Sequence, residues 1–365
     1  VKIQAVIGAN YGDEGKGLVS GCLAREASLS NEKVLTVFYN GTSQRAHTFE
    51  GEVHRCMAAG TKYGSDTYYH HRFVVDPISL LITQATPIID PMCRVILPCD
   101  VITNRKKERE RGNERHGSCG FGLYEAVQRS KQGGRYDIRI KDLVDHEQAL
   151  MPKLLAVEKK YGPFVDEIYN AEMLLAARQW IMKHCKIRYI YELIQEKNYD
   201  RMIFEGGQGL MLSQNNIDSY PHLTPSCTGS DYIHDLAYHL SDYAAGENPE
   251  LFYVSRSYAT RHGAGPMEAE CEKAEINPDI VDTTNGENEF QGALRFGKLD
   301  LDHLYGRIKD DASLFRIDPK INLVFTQLNY TDGKLDTVNG REDIVIPEFA
   351  SGVYVSDQKD RMEKL

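Results

Sequence analysis

The chain has 365 residues, 41% of them apolar and 26% charged, with a net charge of −10 and eight cysteines. This is the balance of a globular protein large enough to bury a substantial core. No run of about 18 apolar residues suggests a membrane span, the acidic balance argues against a nucleic-acid surface, and the cysteines (22, 56, 93, 99, 119, 185, 227 and 271) show no CxxC or zinc-type spacing.

The amino-terminal VKIQAVIGAN lacks a basic stretch followed by a long apolar run, so no secretory leader is expected. The cysteines are then expected to be thiols in a reducing cytoplasm. Residues 2–8 alternate around Ile3, Ala5 and Ile7 and read as a buried strand. A glycine turn and a helix over residues 17–27 follow, the strand–loop–helix opening of a nucleotide-binding α/β unit. Residues 34–39 and 95–98 read as further strands. Residues 105–115 carry mixed charge and read as a solvated surface segment. Helical periodicity covers 148–160 and 171–197. Residues 200–205 form a short strand that runs into Gly206-Gly207-Gln208-Gly209, repeating the strand-to-glycine-loop arrangement. Residues 230–245 read as a helix with Ser230 at its N-cap, and 251–255 and 321–326 as strands. This alternation predicts an α/β fold: a large, mainly parallel central sheet flanked by helices, P-loop-NTPase-like, with long inserted loops. No repeat, low-complexity stretch or linker interrupts residues 1–365, which are expected to form a single domain.

The loop Gly12-Asp13-Glu14-Gly15-Lys16-Gly17 is not an ordinary P-loop. Asn10 stands where the first glycine of that pattern belongs, and Gly17 where its magnesium-binding hydroxyl belongs. The glycines still suit backbone N–H groups wrapping a phosphate at a helix start, with Lys16 as a point charge. Asp13 is the informative residue. A carboxylate in such a loop is repelled by phosphate, and makes chemical sense as a Mg²⁺ ligand or as a base acting on a second substrate. The plainer alternative is that Asp13 and Glu14 cap the helix.

The string NYGDEGKG resembles the opening of the adenylosuccinate synthetases, and other segments follow in that family's order. Ala46-His47-Thr48 matches the end of GHNAGHT, Gly117-Ser118-Cys119-Gly120 resembles GTTG, and Glu205-Gly206-Gly207-Gln208-Gly209 resembles EGAQG. Tyr220-Pro221 with Thr224 resembles YPYVT, residues 257–266 resemble AYTTRVGAGP, Thr326-Gln327-Leu328-Asn329 resembles TKLD, and residues 356–361 resemble STGPDR. The resemblance implies a homodimeric ligase that joins aspartate to C6 of a 6-oxopurine nucleotide, using a nucleoside triphosphate and Mg²⁺. It implies Asp13 as the base at purine N1 and as a metal ligand, with the Ala46 position as a second. His47, Lys16 and Gln208 would act at the transferred phosphoryl group. The triphosphate would lie on Gly12, Glu14, Gly15, Lys16, Gly17, Thr48, Arg295, Gln327, Asn329, Ser356 and Lys359. The purine nucleotide would meet Asp13, Gln44, Arg45, Ser118, Cys119, Gln208 and Thr224, with Arg129 matching an arginine that crosses to the partner subunit.

The departures fall at positions that choose substrates. Asn329 replaces the TKLD aspartate that accepts from guanine; an amide can pair with an adenine edge, which implies ATP or dATP as donor. The family's arginine-rich aspartate loop is here residues 291–297, where Arg295 remains to clamp aspartate or triphosphate. Ala293 stands where an arginine reaches aspartate and a ribose 2′-hydroxyl, so a deoxynucleotide is admitted. Gln44 and Arg45 reshape the purine pocket. These changes resemble the bacteriophage branch, the 2-aminoadenylosuccinate synthetases, which use dGMP. The alternatives are an ordinary enzyme using IMP and GTP, and a nucleotide-binding regulatory protein without catalysis.

Overall fold

A ten-stranded sheet runs through the computed structural model, which describes every residue except 44, 197–198, 241–247, 283–284, 288 and 316. In chain order its strands are β1 (Lys2–Gly8), β2 (Val34–Phe38), β3 (Asp66–Tyr69), β4 (Ile88–Ile89), β5 (Lys186–Ile187), β6 (Arg201–Gly209), β7 (Glu250–Arg256), β8 (Lys320–Thr326), β9 (Gly352–Val355) and β10 (Glu363–Lys364). They lie in the order β10-β9-β8-β7-β1-β6-β2-β3-β4-β5, and only β9 and β10 pair antiparallel. The helices used below are α1 (Lys16–Leu29), α2 (Pro98–Arg111), α3 (Leu123–Lys131), α4 (Glu147–Tyr161), α5 (Ala171–His184), α6 (Asp231–Leu240) and α7 (Leu301–Ala312).

β1 is apolar on both faces because both are covered. Val6 packs with Ile203, Val254 and Val324 of other strands and with Val19, Leu23, Ala24 and Ala27 of α1. Ile3, Ala5 and Ile7 turn the other way, to Leu251, Tyr253 and Leu323 and to Leu304, Ile308 and Ala312 of α7. Each large side chain so buried contributes about 1.5–3 kcal/mol. A second cluster joins Phe38 and Tyr69 to Leu150 and Leu154 of α4 and Leu174 and Ile181 of α5. Among the described residues no helix is long and apolar enough to cross a membrane.

Three local expectations are corrected. Of residues 95–98, only Val95 pairs as a strand, within Arg94–Val95 beside Val74–Val75; Pro98 opens α2, where its fixed φ and missing N–H fit the first turn. The helix expected over 171–197 ends at His184. Its buried stripe of Leu174, Ala177 and Ile181 runs out there, Cys185 is extended, and β5 adds to the sheet before a short helix resumes at Ile190–Gln195; Lys197 lies outside the described residues. Ser230 directly precedes α6 as expected, its carbonyl accepting from the His234 N–H (2.9 Å) while its hydroxyl donates to the Asp311 carbonyl (2.6 Å); residues 241–245 lie outside the described residues. The charged run 105–115 is not simply a solvated segment, because Glu108 is buried against Arg111.

Asp311 on α7 accepts from the Ser230 N–H (3.0 Å) and the Tyr253 hydroxyl (2.7 Å). Burial pushes its carboxyl from 3.8 up to about 6 against those hydrogen bonds. The folded chain therefore holds this proton more tightly than the unfolded one. The stabilisation is complete below the unfolded value and is lost as pH rises through about 6. Asp311→Asn is expected to remove this decline, about 3 kcal/mol in size. Denaturant unfolding of both proteins across the window checks it; parallel pH profiles would assign the decline to another group.

Candidate active site

The carboxyl ends of β1, β6, β7 and β8 meet at one edge, where open parallel sheets hold ligands. Between β1 and α1 the chain doubles back through Gly12 (φ 122°) and Gly15 (φ 100°), a conformation that disfavours any side chain. The Glu14 carboxylate accepts from the N–H groups of Gly12 (2.7 Å) and Asn10 (3.1 Å) and pairs with Lys16 Nζ (3.0 Å). Lys16 also donates to the Gly12 carbonyl (2.5 Å). Neighbouring strands complete the brace. The Thr326 hydroxyl donates to the Glu14 carbonyl (2.7 Å), and Arg256 Nε donates to the Asp13 carbonyl (2.6 Å). The Glu14 side chain thus shapes the loop and leaves any phosphate contact to its backbone.

Asp13 is half-buried and faces the pocket; no described residue hydrogen-bonds its carboxylate. Burial raises its pKa, with Glu14 adding to the effect and His262, Arg256 and Lys16 opposing it. Such a carboxylate is suited to taking a proton.

His47 reaches the same pocket from the far side of α1. A Cβ on Gly17 would lie 2.6 Å from the His47 Cβ, so glycine is required for this approach. His47 Nδ1 lies 2.6 Å from Glu205 Oε1, and Arg45 Nη2 lies 2.8 Å from the same oxygen. Burial alone would raise Glu205, but Arg45 and His47 hold it down to about 2, so it is ionised and receives the Nδ1 proton. Burial, then Arg45, lowers His47 to about 4, leaving a neutral ring whose buried Nε2 has no partner among the described residues. Arg45, expected at the purine, is instead buried behind His47, 3.6 Å over the Phe38 ring. Gln44 lies outside the described residues.

One pocket of about 170 Å³ brings together Gly12, Asp13, Gly15, Lys16, Gly17, Ala46, His47, Thr48, Gln327, Asn329 and Lys359. Gln208 sits beside it, its Cα 3.4 Å from where a Gly12 Cβ would be. Ser356 does not line the pocket; its hydroxyl donates to the carbonyls of Gln358 (2.8 Å) and Arg361 (2.7 Å) and ties down the final loop. Arg295 is not positioned as an open clamp either. Its guanidinium is spent on the Glu270 carboxylate (2.7 and 2.5 Å) and the Gly263 and Gly265 carbonyls, and Ala293 lies on the turn before it. Ser118 donates to Asn104 Oδ1 (2.8 Å), and burial pushes the Cys119 thiol up to about 11. The buried Thr224 hydroxyl has no partner among the described residues, as a ligand contact requires. Residue-by-residue reading missed Arg256, Thr326 and the role of Glu205. Their signal was present as polar residues at the carboxyl ends of otherwise buried strands.

A family profile described as adenylosuccinate synthetase matches residues 5–303. The chain belongs to the adenylosuccinate synthetase family. It is 28% identical over 302 residues to an adenylosuccinate synthetase of Neisseria meningitidis serogroup A, covering 74% of this chain and 65% of that one. It is 29% identical over 302 residues to one from Clostridium perfringens, covering 73% and 65%. The match thus spans somewhat under two thirds of these relatives' length. A fully ligated adenylosuccinate synthetase from Plasmodium falciparum has the same fold, with TM-score 0.68 and 17% identity over 100% of this chain and 88% of that one. So does the cyanophage S-2L succinoaminodeoxyadenylate synthetase bound to dGMP and dATP as an energy donor, with TM-score 0.64 and 16% identity over 99% and 94%.

The arginine expected to cross between subunits of this family points inward here. Arg129 on α3 is 1% exposed; its Nε and Nη2 bind Asp100 (3.0 and 2.8 Å), and its remaining donors reach the Tyr136 and Val95 carbonyls. Asp100 also accepts from the Leu97 N–H at the start of α2 (2.9 Å), so the pair locks α2 to α3. Arg129→Met leaves Asp100 buried and unpaired and is expected to cost about 3–5 kcal/mol. Urea unfolding measures this. A variant of unchanged stability but weaker nucleotide binding would return Arg129 to the site.

Proposed function

We propose that the chain is a ligase that joins L-aspartate to C6 of a 6-oxopurine nucleotide through a 6-phosphoryl intermediate. The observation that carries this reading is Asp13: a half-buried carboxylate with a raised pKa, sharing one pocket with Lys16 and His47. A pure phosphate-binding loop has no use for it. Asp13 takes the proton from purine N1, and O6 attacks the γ-phosphorus as its bond to the nucleoside diphosphate breaks and the diphosphate leaves. Lys16 and Gln208 stabilise the charge that develops on the transferred group. Glu205 fixes the His47 ring; a bound phosphate anion favours uptake of a solvent proton at Nε2, from which His47 donates to that phosphate. The amine of aspartate then displaces phosphate from C6. Asp13 and Ala46, which line one pocket, would hold Mg²⁺, a hard cation that takes few protein oxygens and several from phosphates. When bound, it would neutralise phosphate charge. The family resemblance carries a homodimer as the working assembly.

The preferred substrates are dGMP with ATP or dATP, giving N6-succino-2-amino-2′-deoxyadenylate. Asn329 is exposed at the rim of the Lys16 pocket, and among the described residues its amide has no partner, so it is open to a base edge. Ala293 supplies no donor for a 2′-hydroxyl. The dGMP and dATP held by the cyanophage neighbour support this choice. The second reading, IMP with GTP, is favoured by the curated relatives, which are adenylosuccinate synthetases.

A two-by-two assay of dGMP or IMP with ATP or GTP, aspartate present, separates them. Faster phosphate release with dGMP and ATP is expected, and the reverse ranking selects the second reading. Asp13→Asn should cut that release by about 10²–10⁴-fold; aspartate-dependent turnover that survives the change would defeat the ligase assignment. Asn329→Asp is expected to move donor preference about tenfold toward GTP, because a carboxylate accepts both guanine N–H groups. An unchanged preference would place the base elsewhere.

A further inference from the structure

Arg256, 4% exposed at the end of β7, joins two parts of the Asp13 pocket. Its Nε donates to the Asp13 carbonyl (2.6 Å), and its Nη2 donates to the Asp282 carboxylate (2.7 Å). Both donors belong to one rigid, planar group, so the distance between their acceptors is fixed in a way that a flexible ammonium would not fix it. Within the loop, the Glu14–Lys16 pair grips residues 10 and 12, and Thr326 grips the Glu14 carbonyl. The Asp13 carbonyl is held from outside, by Arg256.

Asp282 ends a segment that walls the same pocket. Ile276 and Ile280 are buried against Tyr258 and Tyr330. The Tyr330 hydroxyl donates to the Val281 carbonyl (3.2 Å), and Asn277 Nδ2 donates to the Tyr330 carbonyl (2.9 Å). Asp282 also accepts from the N–H (3.0 Å) and Nδ2 (2.8 Å) of Asn285. Tyr330 directly follows Asn329, the proposed contact to the donor base. One connected path thus runs from the turn beside Asn329, through residues 277–282 and Arg256, to the backbone of Asp13. It also accounts for an acid in this place. A carboxylate lining a pocket for phosphates repels its ligand unless a cation neutralises it.

We propose that Arg256 is a positioning residue for Asp13, and that Asp282 anchors it to the wall beside the donor nucleotide. Fixing the Asp13 peptide fixes the point from which its carboxylate reaches the purine, and a misplacement of about 1 Å is worth about a hundredfold in rate. Donor recognition and alignment of the base then share one support. The inference rests on the ligase reading, in which Asp13 takes the purine proton.

Steady-state kinetics of phosphate release test it in Arg256→Met, Arg256→Lys, Asp282→Ala and the double variant of Arg256→Lys with Asp282→Ala. Each nucleotide is varied in turn, using the pair that the wild type turns over fastest. A positioning role lowers kcat and leaves both nucleotide KM values nearly unchanged. Arg256→Met is expected to lower kcat about a hundredfold, and Arg256→Lys, which keeps the charge but not the fixed fork, about tenfold. Asp282→Ala should also cost about tenfold, and the double variant should be no slower than Arg256→Lys alone, because both changes break one connection. Asp279→Asn removes an exposed charge from the same segment and should leave kcat unchanged. Melting temperatures show which variants fold; if Arg256→Met does not, Arg256→Lys and Asp282→Ala carry the comparison. A wild-type kcat in Arg256→Lys, or fully additive losses in the double variant, would overturn the proposal. So would a loss confined to the KM of the triphosphate, which would make Arg256 a direct phosphate ligand. Absence of turnover in the wild type itself would defeat the ligase reading, and this inference with it.

Discussion

The site depends on one buried ion pair, Lys16 with Glu14, set inside a loop of six residues. Two charges taken out of water are tolerated only when their remaining valences are satisfied. Here Glu14 is also held by two backbone N–H groups, and Lys16 by a carbonyl. This need makes the loop double back, which in turn demands glycine at 12 and 15. The two charges cancel each other, so Asp13 is the ionisable group the loop has left over. Among the residues that brace the loop, Arg256 holds the Asp13 carbonyl (2.6 Å) while its guanidinium also pairs with Asp282 (2.7 Å). Asp13 stands on the loop and Arg256 at the end of β7, so their spacing is set by the loop and the sheet together.

A second buried charge does comparable work on the other side. Glu205 gathers Ser20, Arg45 and His47, joining α1, the segment after β2, and β6. Because Arg45 neutralises Glu205, His47 need not be charged to satisfy it. The ring can rest neutral with its proton on Nδ1, and Nε2 stays available to whatever enters the pocket. An arginine here is thus consistent with a fixed ring orientation, not with direct recognition of a base.

What was legible in the sequence follows the range of the interactions that decide it. The strands β1, β2, β6, β7 and β8 are set by local apolar pattern and buried on both faces, and each is found within a few residues of its expected place. The failures are short elements decided by remote pairing. β4 and β5 are two residues each and exist because their ladder partners exist. The same holds in the site. Asp13, Lys16 and His47 could be placed because a single loop and a single motif carry them. Arg129 and Arg45 could not, because a guanidinium reads alike whether it meets solvent, a partner or a buried carboxylate; only the positions of Asp100 and Glu205 decide between these.

The same division explains why reaction type and substrate choice separate in this chain. The groups that would do chemistry sit at strand ends, fixed by hydrogen bonds from three neighbouring strands, where a change of one atom disturbs the whole brace. Asn329 sits instead on a short turn entered through the left-handed Gln327 (φ 63°) and anchored by buried Leu328, with its own side chain outward. Exchanging an amide for a carboxylate there reverses part of its hydrogen-bonding sense at no cost to the core. A rigid brace with an outward recognition side chain allows the nucleotide to change while the phosphoryl-transfer geometry stays put. Adenylosuccinate synthetase chemistry and a shifted purine preference are therefore physically compatible in one fold.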